Sequence, residues 1–333
     1  MNERYLWADG LKGCLMMLVI LGHIIQVAIG DCEHNRLWNM IYSFHMPAFM
    51  AISGWLVYKE PSIQMGGGKF LIKRRFCQLV IPYLIWSLIA CVKNEEFTLG
   101  NLFDIILTPD KYYWFLWILF LIFTLFQLSG YFSKKFKMKV NTIIIVMCVL
   151  LMGGMVVFNL RICGIQLLSY YFLFYSLGYI LHSQSGLQTK KLGILLPLSL
   201  IWLFLALNWN MHDLPDWMPL IPHVPKSALQ YLYRGVTASI AIYALLGLAP
   251  LIIKGNCLFS KWMIKFGIVS LGLYVVHLFY LGYIVDLMHL IIPTNYGIIN
   301  TSIVFIVVLA ISYITIVVLS KKKLTSRYFL GKL

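Results

Sequence analysis

The chain has 333 residues, of which 61% are hydrophobic and only 12% are charged, and its formal net charge is +15. Soluble globular proteins contain about 45–50% apolar and about 25% charged residues. This composition therefore excludes a soluble enzyme, a nucleic-acid-binding domain and a disordered regulator. The mean hydropathy of +0.83 indicates a protein that crosses a membrane several times, so we expect membrane lipids and no nucleic acid among its partners.

Ten apolar stretches are long enough, or nearly so, to cross a bilayer as helices of about 20 residues. The third, fifth and sixth are the weakest, so nine or eleven spans also fit the sequence. Little chain remains between the stretches. The sequence thus predicts an all-α polytopic fold that forms a single membrane domain over residues 1–333, with no appended soluble domain. In chain order the stretches are 11–30, 38–58, 71–92, 112–132, 142–158, 168–182, 192–209, 229–253, 266–286 and 297–319.

The distribution of the 27 lysines and arginines predicts the orientation. Most of them lie in the N-terminal segment, the C-terminal segment and every second connection between spans. Cytoplasmic segments of membrane proteins are enriched in basic residues, so both termini are predicted to be cytoplasmic. Most of the positive charge then serves orientation, and a nucleic-acid partner is not needed to explain it.

The first predicted span contains two ionisable residues on one face, Lys12 and His23. They are eleven residues apart, which returns to within about 20° of the same face and separates them by about 16 Å. Asp9, one turn before Lys12, is placed to pair with it. A lysine at this position also fits a side chain that extends to the membrane interface without a further role, so both interpretations of Lys12 stay open.

Three histidines are predicted to lie at one depth of the membrane. His23, His45 and His277 are each about seven to nine residues below the outer end of their spans. Ionisable groups inside a bilayer are costly and often functional. Neutral imidazole suits proton transfer near neutral pH, and three imidazoles can also hold a metal ion. We favour proton transfer, because no carboxylate lies at that depth to support a metal site.

Further basic residues are candidate ligands for negatively charged groups. Lys73, Arg74 and Arg75 open the third span on the predicted cytoplasmic side. They fit a simple topological signal, or a phosphate-binding cluster that acts with Lys12, since guanidinium groups match phosphate oxygens. Arg234, about five residues into the eighth span, fits either an interfacial anchor or a buried functional charge.

Two predicted outer loops have a distinctive composition. Residues 93–111 carry Glu95 and Glu96 and lead into an aromatic run that includes Trp114. These aromatics fit an ordinary interfacial belt, and they also provide flat surfaces on which sugar rings stack. Residues 210–228 contain four prolines, which predicts a stiff, non-helical segment.

The seven cysteines show no metal-binding spacing. Only Cys32 and Cys163 fall on the predicted outer side, where a disulfide is chemically possible. Spacing alone does not decide whether they pair, although free thiols are favoured.

Five segments of this chain, in order, resemble the signature motifs of the acyltransferase-3 family. The first span of that family normally has arginine where this chain has Lys12. Residues 130–260 resemble the family only in hydropathy. The matching segments are Asp9-Gly10-Leu11-Lys12-Gly13 followed by His23, Ser43-Phe44-His45-Met46-Pro47 with Ser53-Gly54-Trp55, Lys73-Arg74-Arg75 with Ile81-Pro82-Tyr83, Tyr113-Trp114-Phe115-Leu116, and Ser270 to His277.

The resemblance implies an integral-membrane O-acyltransferase in a bacterial cytoplasmic membrane. Such enzymes move an acyl group, usually acetyl, from cytoplasmic acyl-coenzyme A to a hydroxyl of an extracytoplasmic or lipid-linked saccharide. On this basis His23 is expected to be the general base, and His45, Tyr274 and His277 are expected to orient it or stabilise the oxyanion. No metal is expected.

The predicted binding residues divide between donor and acceptor. Lys12, Lys73, Arg74 and Arg75 are expected to bind the donor. Trp114, Arg234, Glu95 and Glu96 are expected to face the saccharide.

An alternative function from another class is a proton-coupled secondary transporter or flippase that uses the histidine layer as a proton relay. The sequence lacks the internal repeat that is common in such transporters. The oligomeric state is not indicated by the sequence.

Overall fold

The computed structural model describes residues 5–29, 31–58, 68–94, 97–158, 162–183, 192–218, 221–291 and 297–332. Within these ranges the chain is helical and contains no strand. The helices are α1 (Leu6–Ala28), α2 (Arg36–Tyr42), α3 (His45–Val57), α4 (Gly68–Arg75), α5 (Ile81–Lys93), α6 (Leu99–Leu107), α7 (Trp114–Phe136), α8 (Val140–Phe158), α9 (Ile165–Ser183), α10 (Leu192–Leu207), α11 (Lys226–Ile252), α12 (Leu258–Ile268), α13 (Ser270–Ile291), α14 (Ile298–Ser320) and α15 (Lys323–Leu330).

The prediction of an all-α polytopic membrane protein is confirmed. Eight helical segments in the described part of the chain are long and apolar enough to cross a membrane, and two shorter apolar helices, Val140–Gly154 and Leu192–Leu207, accompany them. Each of the ten predicted stretches coincides with one of these segments. The chain divides into two compact units: a first unit of Met1–Ile52 with Gln184–Ile314, and a second unit of Ser53–Ser183 with Thr315–Leu333.

In the first unit, glycines allow α1 to pack directly against α12. A Cβ on Gly13 would collide with the backbone carbonyl of Met263, and a Cβ on Gly267 would collide with the carbonyl of Asp9. The two backbones therefore touch without intervening side chains. Farther along, His23 of α1 lies beside His277 of α13, so α1 contacts α13 as well as α12.

The second predicted span is interrupted between α2 and α3, immediately before His45. Pro47 lies in the first turn of α3, where its missing N–H is tolerated. The carbonyl of Ile41 accepts a bond from the amide of Phe44 and a second bond from the imidazole of His45. At this carbonyl the His45 side chain takes the place of the His45 backbone amide, which would bond to it in a continuous helix.

An apolar cluster packs around the C-terminal end of α1. Its buried members are Ile25, Trp38, Ile41, Trp209 and Tyr233, and the chain after α10 adds partly buried side chains to it. The described residues 210–218 and 221–225 of the proline-containing segment are non-helical, as the prolines predict, whereas residues 226–228, predicted to be non-helical as well, begin α11. This segment is tied to the turn after α1, because the Asn210 side chain donates to the Glu33 carbonyl.

In the second unit, α4 and α5 form one span with a π-helical segment, Phe76–Val80, between them. Pro82 has no N–H and its ring displaces the carbonyl four residues before it. The amide of Ile81 accordingly bonds to the carbonyl of Phe76, five residues back. Gly54 of α3 packs directly on the Tyr175 carbonyl of α9, where a Cβ would not fit.

Three details differ from the sequence prediction. Residues 93–111 contain a short helix, α6, whose N-terminus is capped by the Thr98 hydroxyl, which accepts from the amide of Asn101. The stretch predicted as 266–286 begins instead at Ser270, because Val269 is non-helical and separates α12 from α13. The C-terminal segment forms α15, whose Phe329 carbonyl accepts a bond from the Trp86 indole of α5.

Candidate active site

The centre of the candidate site is a pair of imidazole rings in the first unit. The rings of His23 and His277 lie 5.4 Å apart at 49°. His277 is fully buried, and its Nδ1 is 2.8 Å from the carbonyl oxygen of Leu273. A carbonyl only accepts, so Nδ1 carries the proton and Nε2 carries the lone pair. That Nε2 atom is buried and has no hydrogen-bond partner among the described residues.

His45 is held in the same tautomer. Its side chain is 3% exposed, and its Nδ1 donates to the Ile41 carbonyl at 2.7 Å. The second nitrogen, Nε2, therefore bears the lone pair. The edge of its ring meets the ring of Tyr42, with centroids 4.8 Å apart.

Two residues that the sequence analysis did not single out join this group. The Tyr42 hydroxyl donates to Oε1 of Gln26 at 2.8 Å, and the Gln26 side chain also hydrogen-bonds His23. Gln26 lies three residues after His23, and Tyr42 lies three residues before His45. The helical i,i+3 spacing from each predicted histidine is the signal that could have identified both.

Tyr274 is buried one turn before His277, and the two rings are 6.2 Å apart. The structure therefore places all four residues predicted to be catalytic, His23, His45, Tyr274 and His277, in the first unit.

Lys12 forms an ion pair with Asp9, as the one-turn spacing predicted. Its Nζ is 2.8 Å from Oδ1 of Asp9, and the two side chains are 22% and 7% exposed. A lysine that extended freely to the interface would not be fixed against a buried carboxylate. Lys12 thus has at least a structural role at the beginning of α1, eleven residues and about 16 Å from His23.

Arg234 lies over aromatic rings. Its guanidinium carbon is 5.5 Å from the ring centroid of Trp209 and 5.9 Å from that of Tyr231. Cation–π contacts of this kind stabilise a partly buried charge. Arg234 is therefore attached to the apolar cluster at the C-terminal end of α1.

The remaining predicted binding residues that the structure describes belong to the second unit. Lys73 and Arg74 are exposed, whereas Arg75 is half-buried, with its guanidinium 5.1 Å from the Phe123 ring and within 3.4 Å of Oε1 of Gln78. Arg75 is thus held in place by its own unit, while its two neighbours are accessible.

Trp114 stacks on the ring of Tyr171 at 5.0 Å, so part of its surface is engaged in packing. Glu95 and Glu96 lie outside the described residues. Cys32 and Cys163 are both free thiols. In the described part of the chain, no group of three or more His, Cys, Asp or Glu side chains could hold a metal ion.

The arrangement can carry out proton transfer inside a span. Imidazoles whose Nδ1–H is fixed by a carbonyl offer their second nitrogen as a base or acceptor. His23 lies between His277 on α13 and the Gln26–Tyr42 pair, so its ring is contacted on two sides. This is the pattern of a base that is oriented by neighbouring groups.

Comparisons with known proteins identify the family. The family described as "Acyltransferase domain" matches residues 5–320. The nodulation protein NolL of Sinorhizobium fredii (strain NBRC 101917 / NGR234) is 36% identical over 125 residues, which is 34% of this chain and 34% of that protein. The nodulation protein NolL of Mesorhizobium japonicum (strain LMG 29417 / CECT 9101 / MAFF 303099) is 38% identical over 116 residues, which is 32% of this chain and 30% of that protein.

The match thus spans about a third of the length of these curated relatives. No solved structure matches the chain. The family match, in contrast, extends over nearly the whole sequence and includes all five motif segments. This chain therefore belongs to the acyltransferase-3 family of membrane proteins.

Proposed function

We propose that this protein is a membrane-bound O-acyltransferase that moves an acyl group, acetyl in the first instance, from cytoplasmic acyl-coenzyme A to a saccharide hydroxyl on the outer side. The proposal includes ten spans, cytoplasmic termini, a single membrane domain over residues 1–333 and location in a bacterial cytoplasmic membrane. The observation that carries it is the contact of His23 with His277 inside an apolar helical span, in a chain that belongs to an acyltransferase family.

In the proposed reaction His23 removes the proton from the acceptor hydroxyl. The hydroxyl oxygen then forms a bond to the thioester carbonyl carbon, and the carbon–sulfur bond breaks. The coenzyme A thiolate leaves with the proton returned by the His23 imidazolium, so atoms and charge balance. A covalent acyl-histidine would divide the same transfer into two steps.

This base is assisted in the proposal by three further residues, His277, His45 and Tyr274. Each of the two histidines has its Nδ1 proton committed to a carbonyl, and this keeps its second nitrogen available as an acceptor. Removal of the proton leaves positive charge on His23. A neighbouring lone pair, such as that of the unpartnered Nε2 of His277, favours that charge.

The donor carries phosphates, which require positive charge. Lys12, Lys73, Arg74 and Arg75 supply it in the proposal. Exposed Arg74 offers a planar guanidinium that matches phosphate oxygens in a bidentate manner. Half-buried Arg75 is already oriented by Phe123 and Gln78, so less side-chain entropy is lost when it binds.

The acceptor is proposed to contact Trp114 and Arg234, together with Glu95 and Glu96. An indole face and a guanidinium suit the apolar face and the hydroxyls of a sugar ring. Carboxylates accept hydrogen bonds from sugar hydroxyls.

The test is transfer of label from radiolabelled acetyl-coenzyme A to crude surface glycan by membranes that contain the protein. We expect labelled glycan that depends on the presence of the protein. Membranes with His34→Ala provide a matched control, because His34 is an exposed histidine bonded to Asp31 outside the spans. Proton-coupled solute uptake without label transfer would contradict the proposal and favour a transporter or flippase.

A further inference from the structure

We infer that Gln26 and Tyr42 form a positioning pair that fixes the tautomer and orientation of His23. The inference rests on the proposed function, because it assigns the pair a role in the activity of the His23 base. Neither residue belongs to the motif segments by which the chain resembles its family.

The contacts connect three side chains, with Gln26 between Tyr42 and His23. The phenolic O–H of Tyr42 donates to Oε1 of Gln26 at 2.8 Å, and the Gln26 side chain also hydrogen-bonds the His23 ring. An amide oxygen has two lone pairs and can accept from both groups. In this arrangement one nitrogen of His23 donates its N–H to Gln26, and the other nitrogen is left with the lone pair that a general base needs.

The same logic holds for the neighbouring histidines. His45 and His277 each donate Nδ1–H to the backbone carbonyl four residues earlier. For His23 the structure gives a hydrogen bond to a side-chain amide instead. Gln26 thus takes the place of a main-chain acceptor for His23. Tyr42 in turn holds Gln26 through its own hydrogen bond, so the base is oriented by one group and that group by another.

Tyr42 is itself firmly placed. Its ring stacks on Trp38 with centroids 3.9 Å apart and meets the His45 ring edge-on at 4.8 Å. Gly22, the residue before His23, leaves the space for this ring, because a Cβ there would lie 2.9 Å from Cε2 of Tyr42. The hydroxyl is therefore aimed at Gln26 by packing on three sides.

The exposure of Gln26 separates a positioning role from a core-packing role. Gln26 is exposed, so replacing it by alanine removes a hydrogen bond and leaves no internal cavity. An exposed amide in a span is costly in lipid, and its bonds to Tyr42 and His23 reduce that cost.

The experiment measures kcat and KM for acetyl-coenzyme A in Gln26→Ala, Tyr42→Phe and the double variant. We expect kcat to fall by roughly 10- to 100-fold in Gln26→Ala, as for a small misplacement of a reacting group, with KM unchanged. Tyr42→Phe should lose less. The double variant should be no worse than Gln26→Ala, because the two residues act as one unit. Gln26→Glu retains an acceptor oxygen and should recover part of the loss.

The matched control is Tyr233→Phe. Tyr233 is a buried tyrosine of the same unit whose hydroxyl donates to the Leu205 carbonyl at 2.6 Å. We expect wild-type kcat in that variant. If Gln26→Ala and Tyr42→Phe behave like Tyr233→Phe while His23→Ala is inactive, the positioning pair is refuted and the proposed function stands. If His23→Ala keeps its turnover, the proposed base itself is refuted.

Discussion

Removing the positive charge of Lys12 should affect stability and donor binding separately. Lys12→Gln leaves the Asp9 carboxylate, whose side chain is only 7% exposed, without the ammonium group 2.8 Å away. Breaking a fully buried ion pair on one side costs about 3–5 kcal/mol. Because Lys12 is 22% exposed and water screens part of the interaction, we expect a smaller loss, about 2 kcal/mol.

The loss of stability can be repaired without restoring the charge. Asp9→Asn removes the negative charge that Lys12 neutralises in the wild type, so the double variant should regain most of the thermal stability in detergent. If Lys12 also binds donor phosphate, the KM for acetyl-coenzyme A should stay raised in the double variant. Lys12→Arg keeps the charge and adds a bidentate donor, and should retain or improve activity.

The assay is donor-dependent acetyl transfer, normalised to correctly inserted protein, together with a thermal melt of each variant. A double variant that recovers both stability and KM would show that Lys12 serves only to neutralise Asp9. Unchanged stability and activity in Lys12→Gln itself would refute the ion-pair argument and the functional role of this position.

Three further predictions concern the donor cluster, the packing of α1 and the orientation. Replacing Arg74 and Arg75 by glutamine should raise the KM for acyl-coenzyme A and leave the acceptor KM unchanged; unchanged constants would reduce the cluster to a topological signal. Gly267→Ala should lower the thermal stability, because the new Cβ collides with the backbone of α1; an unchanged melting temperature would contradict that close approach. Hydrogen bonds from Ser260 lower the pKa of the exposed Cys257 thiol, whereas burial raises the pKa of the Cys32 thiol, so an impermeant maleimide should label Cys257 faster. Cys257 should be labelled only from the cytoplasmic side and Cys32 only from the outer side. Labelling of both thiols from one side would overturn the predicted topology.

The sequence predicted that three histidines lie at one depth, but not which of them are in contact. The depth argument used only the distance of each histidine from the end of its span, and the structure brings His23 and His277 ring to ring. Helix geometry fixes the rise per residue, so polar groups at one depth are limited to one thin layer. The spacing of Asp9 and Lys12 predicted their ion pair for the same reason.

The residues around those histidines were harder to predict. Gln26 and Tyr42 lie near the ends of predicted spans, where a polar amide and a tyrosine are ordinary interfacial residues. Their significance depends on the approach of α2 to α1, which Gly22 permits. The hydrophobic periodicity of a single helix does not indicate such a contact between two helices.

Local breaks in the helices were also missed. Val269 ends α12 and separates it from α13, although hydropathy runs through that position without interruption. The Ser270-to-His277 motif consequently begins at the first residue of α13. Glycines of the motifs have packing roles that the sequence comparison could not assign: Gly13 admits the backbone of α12, and Gly54 admits the backbone of α9.

The role of His23 as the base of an acyl transfer can be tested on the purified protein. The most direct measurement is product analysis by mass spectrometry after purified His23→Ala, His34→Ala and wild-type proteins are incubated with acetyl-coenzyme A and a saccharide acceptor. We expect acetylated saccharide from the wild type and from His34→Ala, and none from His23→Ala, although that variant folds and still binds coenzyme A. Acetylated product from His23→Ala at the wild-type rate would show that His23 is not the base.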